Sequence, residues 1–365
     1  MEYYSKIVFY MKKWLLFPLI CFFSGCSEQL QNNESILGTI NLSDPVLLKI
    51  HDSKIIQRLK NIDQSGTPAY YCQLPSFSRY DHSIGVLYLV QHFGGDIKEQ
   101  LAALTHDASH TVFSHVADKF FDIEGYQDKI HEETLTYLGA QKILDEYGLK
   151  IHDINPEHEN FKRQEQPLPD MCADRIEYNI HTGLIFNLIT KDDVKEILDH
   201  LFYQNEKWYF DSVDAAQKFA TLSLIFTEHF WGSAENARAY YLTTKILKKS
   251  FTLNLFNMNE FHYENDNTII NKIEKTSDDE IKFYMSELKK INMKKIGQFT
   301  MPAYPLNKSI SVFIKPKFRG IDPLVLKKDK FVRLTTLSKS FKNKYDRVKK
   351  KMNNGFNVKM PIYSK

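Results

Sequence analysis

Histidine and aspartate crowd into one stretch of this chain in an order that core packing does not require. Arg79-Tyr80-Asp81-His82 is followed by His106-Asp107, His110, His115 and Asp118. A further acidic position lies in Asp170-Met171-Cys172-Ala173-Asp174-Arg175-Ile176-Glu177-Tyr178. Six of the 13 histidines fall between His82 and His131. A buried neutral imidazole must find partners for two ring nitrogens, so such crowding points to a shared ligand. Leu101-Ala102-Ala103-Leu104 reads as the end of a buried helix, with His106-Asp107 at its C-terminal end. His82 opens a second apolar helix, and Arg79 one turn earlier shares its face. Asp174 would come from a third helix. Two imidazoles and two carboxylates, His82, His106, Asp107 and Asp174, form a mixed N/O set. That set suits Mn, Fe, Co, Ni, Zn or Mg, with positions left open for water and substrate.

The pattern extends further along the chain. It starts at Ile56-Gln57-Arg58-Leu59-Lys60-Asn61-Ile62-Asp63-Gln64-Ser65-Gly66 and passes through Phe77-Ser78-Arg79-Tyr80-Asp81-His82-Ser83-Ile84-Gly85-Val86. It is densest at His106-Asp107-Ala108-Ser109-His110-Thr111-Val112-Phe113-Ser114-His115 and reaches Asp174-Arg175-Ile176-Glu177-Tyr178. A weaker echo is Lys317-Phe318-Arg319-Gly320-Ile321-Asp322-Pro323. In these segments the chain resembles the HD superfamily of metal-dependent phosphohydrolases. The closest branch holds the bacterial deoxynucleotide triphosphohydrolases and the mammalian sterile-alpha-motif/HD dNTPase. The resemblance covers about residues 36–245 well and the remainder loosely. It implies an all-α catalytic core and roles for individual positions. His82, His106, Asp107 and Asp174 match the metal ligands, and Arg79 and His110 match residues that meet substrate phosphates. Asp118 matches a carboxylate that works with a histidine, here His115, near the reacting phosphate. His131 matches a candidate general acid, with His110 as the other source of a proton. Gln64 and Tyr178 match positions that touch the sugar. A solvated helix start for His131 and a structural histidine for His115 are the plainer alternatives.

These residue types suit the chemistry. A divalent metal lowers the pKa of bound water, and a cation beside Arg79 offsets charge on phosphoryl oxygens. A leaving group needs a proton, which an imidazole can supply near neutral pH. One departure bears on the substrate. Where the dNTPases carry Arg-Asp, this chain has His181-Thr182. The resemblance assigns that Asp to the sugar 3′-hydroxyl, so its loss weakens the case for a deoxynucleoside triphosphate while leaving the metal set intact. The expected substrate is therefore a phosphate ester of a nucleotide or a related phosphorylated metabolite. The competing expectation is a non-catalytic module that keeps the metal and binds a nucleotide.

The N-terminus suggests export. Met11-Lys12-Lys13 is a short positive region, and Met11 is an alternative start. Trp14-Leu15-Leu16-Phe17-Pro18-Leu19-Ile20-Cys21-Phe22-Phe23 is apolar but too short to span a bilayer, which takes ~20 residues. Ser24-Gly25-Cys26 then resembles a bacterial lipoprotein box, with Cys26 as the lipidated residue. Residues 1–26 are thus expected to be a signal peptide, and 27–35 a polar tether. The protein would be a membrane-anchored lipoprotein outside the cytoplasm. A buried N-terminal helix in a cytoplasmic protein is the alternative. Cys72 and Cys172 could pair in an oxidising compartment.

The remainder is expected to form a mainly α protein. Residues 36–250 would be the HD phosphohydrolase domain and 251–365 a smaller, basic α+β C-terminal lobe. Apolar residues recur at three- and four-residue intervals over 97–106, 128–147, 170–186, 192–203, 213–230 and 234–250. Residues 37–42 suggest a small hairpin arm. Ser309–Lys315 alternates as a strand should, Lys330–Leu334 suggests another, and Leu337–Met352 reads as a basic amphipathic helix. Residues 315–365 hold 16 Lys/Arg against three Asp/Glu, although the whole chain is only +3. Anionic lipid, nucleic acid or a regulatory nucleotide between subunits could meet such a surface, and plain solvation is the alternative. With little aromatic interleaving, nucleic acid is not the expected partner. The resemblance implies self-association as a homo-oligomer.

Overall fold

Helix ends fix where the site residues point. The computed structural model describes residues 33–157 and 161–364. The expected signal peptide, Cys26 and the tether up to residue 32 lie outside the described residues. The chain enters through a short antiparallel pair, β1 (Glu34–Ser35) and β2 (Gly38–Thr39), slightly earlier than the expected hairpin arm. Helix α1 (Pro45–Asp52) starts where the Asp44 carboxylate accepts the Val46 N–H, with Pro45 in the first turn. Helix α2 (Arg79–His92) opens with a capping box. The Ser78 hydroxyl accepts the Asp81 N–H, and the Asp81 carboxylate accepts the Ser78 N–H. That cap sets the register of Arg79 and His82.

Helix α2 is the central pillar. Ile84 and Leu87 pack with Ile50, Ile55, Leu101 and Leu104 in one apolar cluster. Val86, Leu89 and Val90 pack with Val112, Ile176, Ile180 and Phe219 in the other. A helix buried on all sides needs no polar face. Around it stand α3 (Ile97–Thr105), α4 (Ala173–Ile185), α5 (Val213–Phe226) and α6 (Ala234–Thr252). Helix α5 runs on into a π-helical turn, Thr227–Trp231. Farther on come α7 (Asp279–Leu288) and the basic helix α8 (Lys339–Asn354).

Two expected helices come out differently. The stretch 128–147 is broken into Tyr126–Lys129, His131–Tyr137 and Ala140–Asp145, with Gly139 left-handed (φ 89°) at the last break. The helix expected over 192–203 ends at Asp199. Leu201–Gln204 (β3) then pairs antiparallel with Lys207–Phe210 (β4). Asn205 and Glu206 both take positive φ, 52° and 60°, which suits the twist of a two-residue hairpin. The sequence has no glycine there to flag the turn, and its apolar spacing fits a helix equally well.

The expected C-terminal strands form as β5 (Ser309–Ile314) and β7 (Lys330–Arg333). Strand β5 pairs antiparallel with β8 (Phe356–Pro361). A second sheet has the order β3-β4-β6-β7, where β6 is Leu324–Lys327 and runs parallel to β4. This sheet draws strands from both sides of residue 250. Phe261, Ile269, Ile281 and Val348 also share an apolar cluster with Ile176 and Phe219. The chain from Asn33 onward packs as one unit. Cys72 and Cys172 are free: the Cys72 thiol donates to the Leu288 carbonyl at 3.5 Å, and Cys172 lies against Glu165. Among the described residues no helix is long and apolar enough to cross a membrane.

Candidate metal and phosphate site

Helices α2, α3 and α4 bring His82, His106 and Asp174 together. One ligand atom from each lies within 4.8 Å of the other two. His82 Nε2 is 2.9 Å from Asp174 Oδ1 and 3.2 Å from His106 Nε2. The far ring nitrogens are tied down. His106 Nδ1 donates to the Ala103 carbonyl at 2.8 Å, and His82 Nδ1 is bonded to the Glu177 carboxylate. Each partner leaves an Nε2 lone pair facing the centre, as a metal-binding histidine requires. Asp107 stands at the edge of this group. Its Oδ1 is 3.6 Å from His106 Nε2 and 3.2 Å from His110 Nε2, while its Oδ2 accepts from Arg79 Nη1 at 2.7 Å. The donor set of imidazole nitrogens and carboxylate oxygens fits a divalent cation of the kind expected.

Glu177 had no role in the sequence reading, although it lies within a motif segment. It is fully buried and bonds His82 on one side and His181 Nδ1 at 2.7 Å on the other. His181 in turn stacks on Phe77, with centroids 3.6 Å apart. The departure from the dNTPase pattern therefore supports a metal ligand from behind. Gly85 makes room for this, because a Cβ there would lie 2.5 Å from Glu177 Cγ.

The turn after His106 is held from beneath. Partly buried Arg58 donates to the carbonyls of Ala108 (2.8 Å) and His110 (2.9 Å). Phe113 and Ser114 both take left-handed φ, 60° and 57°, a costly conformation for a phenylalanine. It persists because its polar groups are captured. Phe113 N–H donates to Asp266 at 2.7 Å, and the Ser114 hydroxyl donates to the Asp63 carbonyl at 2.6 Å. Gly66, with φ 67°, lets the Phe113 carbonyl approach; a Cβ there would meet it at 2.5 Å.

A cleft of about 240 Å³ opens beside the cluster. Gln64, Arg79, His115, Asp118 and Tyr178, all singled out in the sequence, line it. Thr182 lines it too, where the dNTPase pattern would put a carboxylate. Phe77, Trp231 and Tyr240 add aromatic walls, and Lys119, Lys317 and Arg319 add charge. Among these additions Phe77 and the Lys317–Arg319 segment lay in motif segments of the sequence, and nothing there located either at the cleft. His110 lies just behind, its ring edge-on to His115 with centroids 4.8 Å apart. His131, expected as a general acid, is placed elsewhere. It is buried, its Nε2 donates to the Thr105 carbonyl at 3.0 Å, and it does not line the cleft. That bond braces the end of α3 directly before His106.

Burial and charge set the protonation states. Burial alone would lower the His82 pKa, but Glu177, Asp174 and Asp107 outweigh it and raise it to about 10. Three carboxylates thus favour positive charge at this imidazole, carried by a proton on Nε2 in the metal-free protein and by a divalent cation once it displaces that proton. Burial would raise Asp107, yet Arg79, His106 and His110 hold it well below the carboxylate range. Burial, and then Arg79, push His110 down to about 4. Burial, and then His110, Arg79 and Arg319, hold His115 well below its ordinary value. Asp118 is raised by burial, and its carboxylate accepts the Tyr126 N–H at 3.0 Å.

The HD domain family profile matches residues 79–178, the span from Arg79 to Tyr178 that builds this centre. Residues 79–178 thus form an HD domain, and the protein is an HD-type phosphohydrolase. It is 27% identical over 319 residues to the uncharacterized protein YdhJ of Bacillus subtilis, covering 87% of this chain and 95% of that one. It is 33% identical over 186 residues to the metal-dependent phosphohydrolase cns2 of Cordyceps militaris, covering 48% of this chain and 53% of the relative. A Dictyostelium discoideum deoxynucleoside triphosphate triphosphohydrolase, a SAMHD1 homolog, is 31% identical over a third of this chain (33%) and 26% of its own. In fold the chain is similar to a crystal structure of a phosphohydrolase from Bacteroides thetaiotaomicron, with TM-score 0.66 and 15% identity over 91% of this chain and 99% of that one.

Proposed function

We propose that this phosphohydrolase cleaves a phosphate ester of a nucleotide or a closely related metabolite. One observation carries the reading: the His82–His106–Asp174 cluster adjoins, through Arg79, a cleft with aromatic walls from Phe77, Tyr178, Trp231 and Tyr240. Such walls suit the faces of a base and the edge of a sugar. His82, His106, Asp107 and Asp174 would hold the divalent metal, whose contribution is an activated water and charge neutralisation at the phosphoryl group.

The chain's own residues do the rest. Arg79 meets the phosphoryl oxygens and keeps Asp107 ionised. His110 and His115 are neutral near pH 7, so each can accept a hydrogen bond or a proton in the free enzyme. The arriving negative charge of the substrate raises their proton affinity and prepares one of them to protonate the leaving oxygen. His115 Nδ1 lies 4.0 Å from Asp118, which orients it. Gln64 and Tyr178 touch the sugar. Thr182 offers a hydroxyl where the dNTPase pattern has a carboxylate, and this favours a substrate other than a deoxynucleoside triphosphate.

The test is release of phosphate, pyrophosphate and triphosphate from a panel of nucleotides and phosphate esters, with Mn, Mg, Co and Ni. Turnover that vanishes in Asp107→Ala supports the reading, and triphosphate release from dNTPs would show that Thr182 does not exclude them. No turnover above the Asp107→Ala background would sink it. We further propose, from Met11–Cys26 alone, that the mature protein is a lipoprotein anchored outside the cytoplasm. Mass spectrometry finding an unmodified Cys26 in membrane-associated protein would remove that reading.

A further inference from the structure

The cleft holds more positive charge than one reacting phosphate needs, and part of it comes from the far end of the chain. Arg79 lines the cleft and is held in place by the protein. Its Nε donates to Ser114 Oγ (2.9 Å), Nη1 to Asp107 (2.7 Å) and Nη2 to the Gln64 carbonyl (3.2 Å). Arg319 is in the opposite situation. It lines the cleft, it is partly buried, and among the described residues it makes no hydrogen bond or ion pair. Its charge bears on His115, Tyr178 and Tyr240, and Tyr240 also feels Arg79. The two guanidinium groups therefore act on one space. The phenol oxygens of Tyr178 and Tyr240, in that same space, also have no hydrogen-bond partner among the described residues.

The segment that presents Arg319 is pinned, so this is not a loose surface side chain. Ile321 N–H donates to the buried Ser223 hydroxyl at 3.0 Å, and Asp322 N–H to the Pro169 carbonyl at 3.1 Å. The Asp322 carboxylate holds Thr335 through its N–H (2.9 Å) and its hydroxyl (2.6 Å). Gly320 permits the tight packing, because a Cβ there would come within 2.2 Å of the Phe318 ring. A guanidinium held in a cleft without an ion pair keeps its donors available to a ligand, and its planar fork matches phosphate. Lys119 and Lys317 line the same cleft. Among the described residues the ion pair of Lys317 is an exposed contact of 3.9 Å to Glu124, a pairing worth little in water.

We propose that Arg319, assisted by Lys317 and Lys119, binds negative charge that the substrate carries beyond the phosphate being attacked. The enzyme thereby selects substrates with a second phosphoryl group near the first. This rests on reading the cleft as the substrate site. The second group can belong to a phosphate chain or to a separate ester, and both would meet the same guanidinium.

Calorimetric binding to the full chain tests this without requiring turnover. The probes are orthophosphate, tripolyphosphate and fructose 1,6-bisphosphate. Arg319→Gln should weaken tripolyphosphate about tenfold and orthophosphate less than about twofold, with Arg319→Lys in between. Loss confined to fructose 1,6-bisphosphate would assign the second group to a separate ester. An equal loss for orthophosphate and the multiply charged probes, or no loss for either multiply charged probe, would overturn the proposal, as would a wild-type chain that binds neither multiply charged probe better than orthophosphate. If Arg319→Gln melts early, Lys119→Gln combined with Lys317→Gln keeps the test. That double variant should still weaken tripolyphosphate about threefold and leave orthophosphate alone. Arg319-dependent binding alongside a silent hydrolysis panel would sustain this proposal while defeating the substrate reading above.

Discussion

At the scale of the residue, the site works because each ligand has something behind it. His82 presents Nε2 because Glu177 holds Nδ1, and Glu177 is itself held by His181. Glu177→Gln keeps an acceptor but loses the charge. Metal affinity should fall about 10–100-fold with the fold intact, as measured by metal content after dialysis and by circular dichroism. A second prediction concerns pH. Burial raises Asp63 to about 7, while an unfolded Asp titrates near ~4. The folded state thus holds this proton more tightly, so stability is greatest in acid and declines as pH rises from ~4 through ~7. Asp63→Asn cannot ionise, yet it keeps the Oδ1 acceptor used by Ser65 N–H and Ser76 Oγ. Between pH 5 and 8 the wild type should lose about 1 kcal/mol more than the variant, the modest size reflecting a carboxylate that is not fully shielded. Parallel urea melts at the two pH values would expose an absent difference.

At the scale of the element, helix register and turn geometry do the positioning. Helix α2 carries Arg79, His82 and Gly85, and Gly85 is the point at which α4 approaches through Glu177. Gly85→Ala should cost about 1–3 kcal/mol through overpacking against Glu177, read as a lowered Tm together with weakened metal binding. The π-helical turn Thr227–Trp231 presents Phe230 and Trp231 to the cleft, and Glu228 anchors it from the other side. That buried carboxylate receives both arms of Arg347 at 2.6 and 2.7 Å and Lys351 at 3.1 Å, all from α8. The basic helix that suggested a partner-binding surface thus spends part of its charge inside the molecule. Glu228→Gln should loosen the turn, red-shift tryptophan emission and raise KM more than it lowers kcat. Unchanged emission and KM would separate the helix from the cleft. Periodicity made α3, α5 and α6 legible, but it carried the helix over 192–203 past its true end, because a half-buried β3 and a helix share that short apolar spacing.

At the scale of the whole molecule, the metal centre ties three helices that are distant in sequence. A cation bound only by the folded state stabilises it by mass action, about 2.7 kcal/mol at a hundredfold excess over Kd. A chelator should therefore lower the Tm and added Mn restore it. A Tm indifferent to both, in a scanning melt, would remove His82, His106 and Asp174 as a folded-state metal site. Light scattering across concentration tests the expected self-association, and a constant monomer mass would dismiss it. The sequence by itself determined the donor set: the order His82, His106-Asp107, Asp174 with Arg79 reads as a metal site because few other tasks need those donors together, and the resemblance to the HD family added the phosphohydrolase class. It also determined the mainly helical core, since apolar spacing is a local property. Only the tertiary structure decided which polar residues face the cleft and which stand behind it. Residues such as Glu177, Arg58 and Asp266 act through contacts across long sequence separations, which no local pattern encodes. For the same reason His131 moved beneath α3, and Arg319 came from the far end of the chain to the wall of the site.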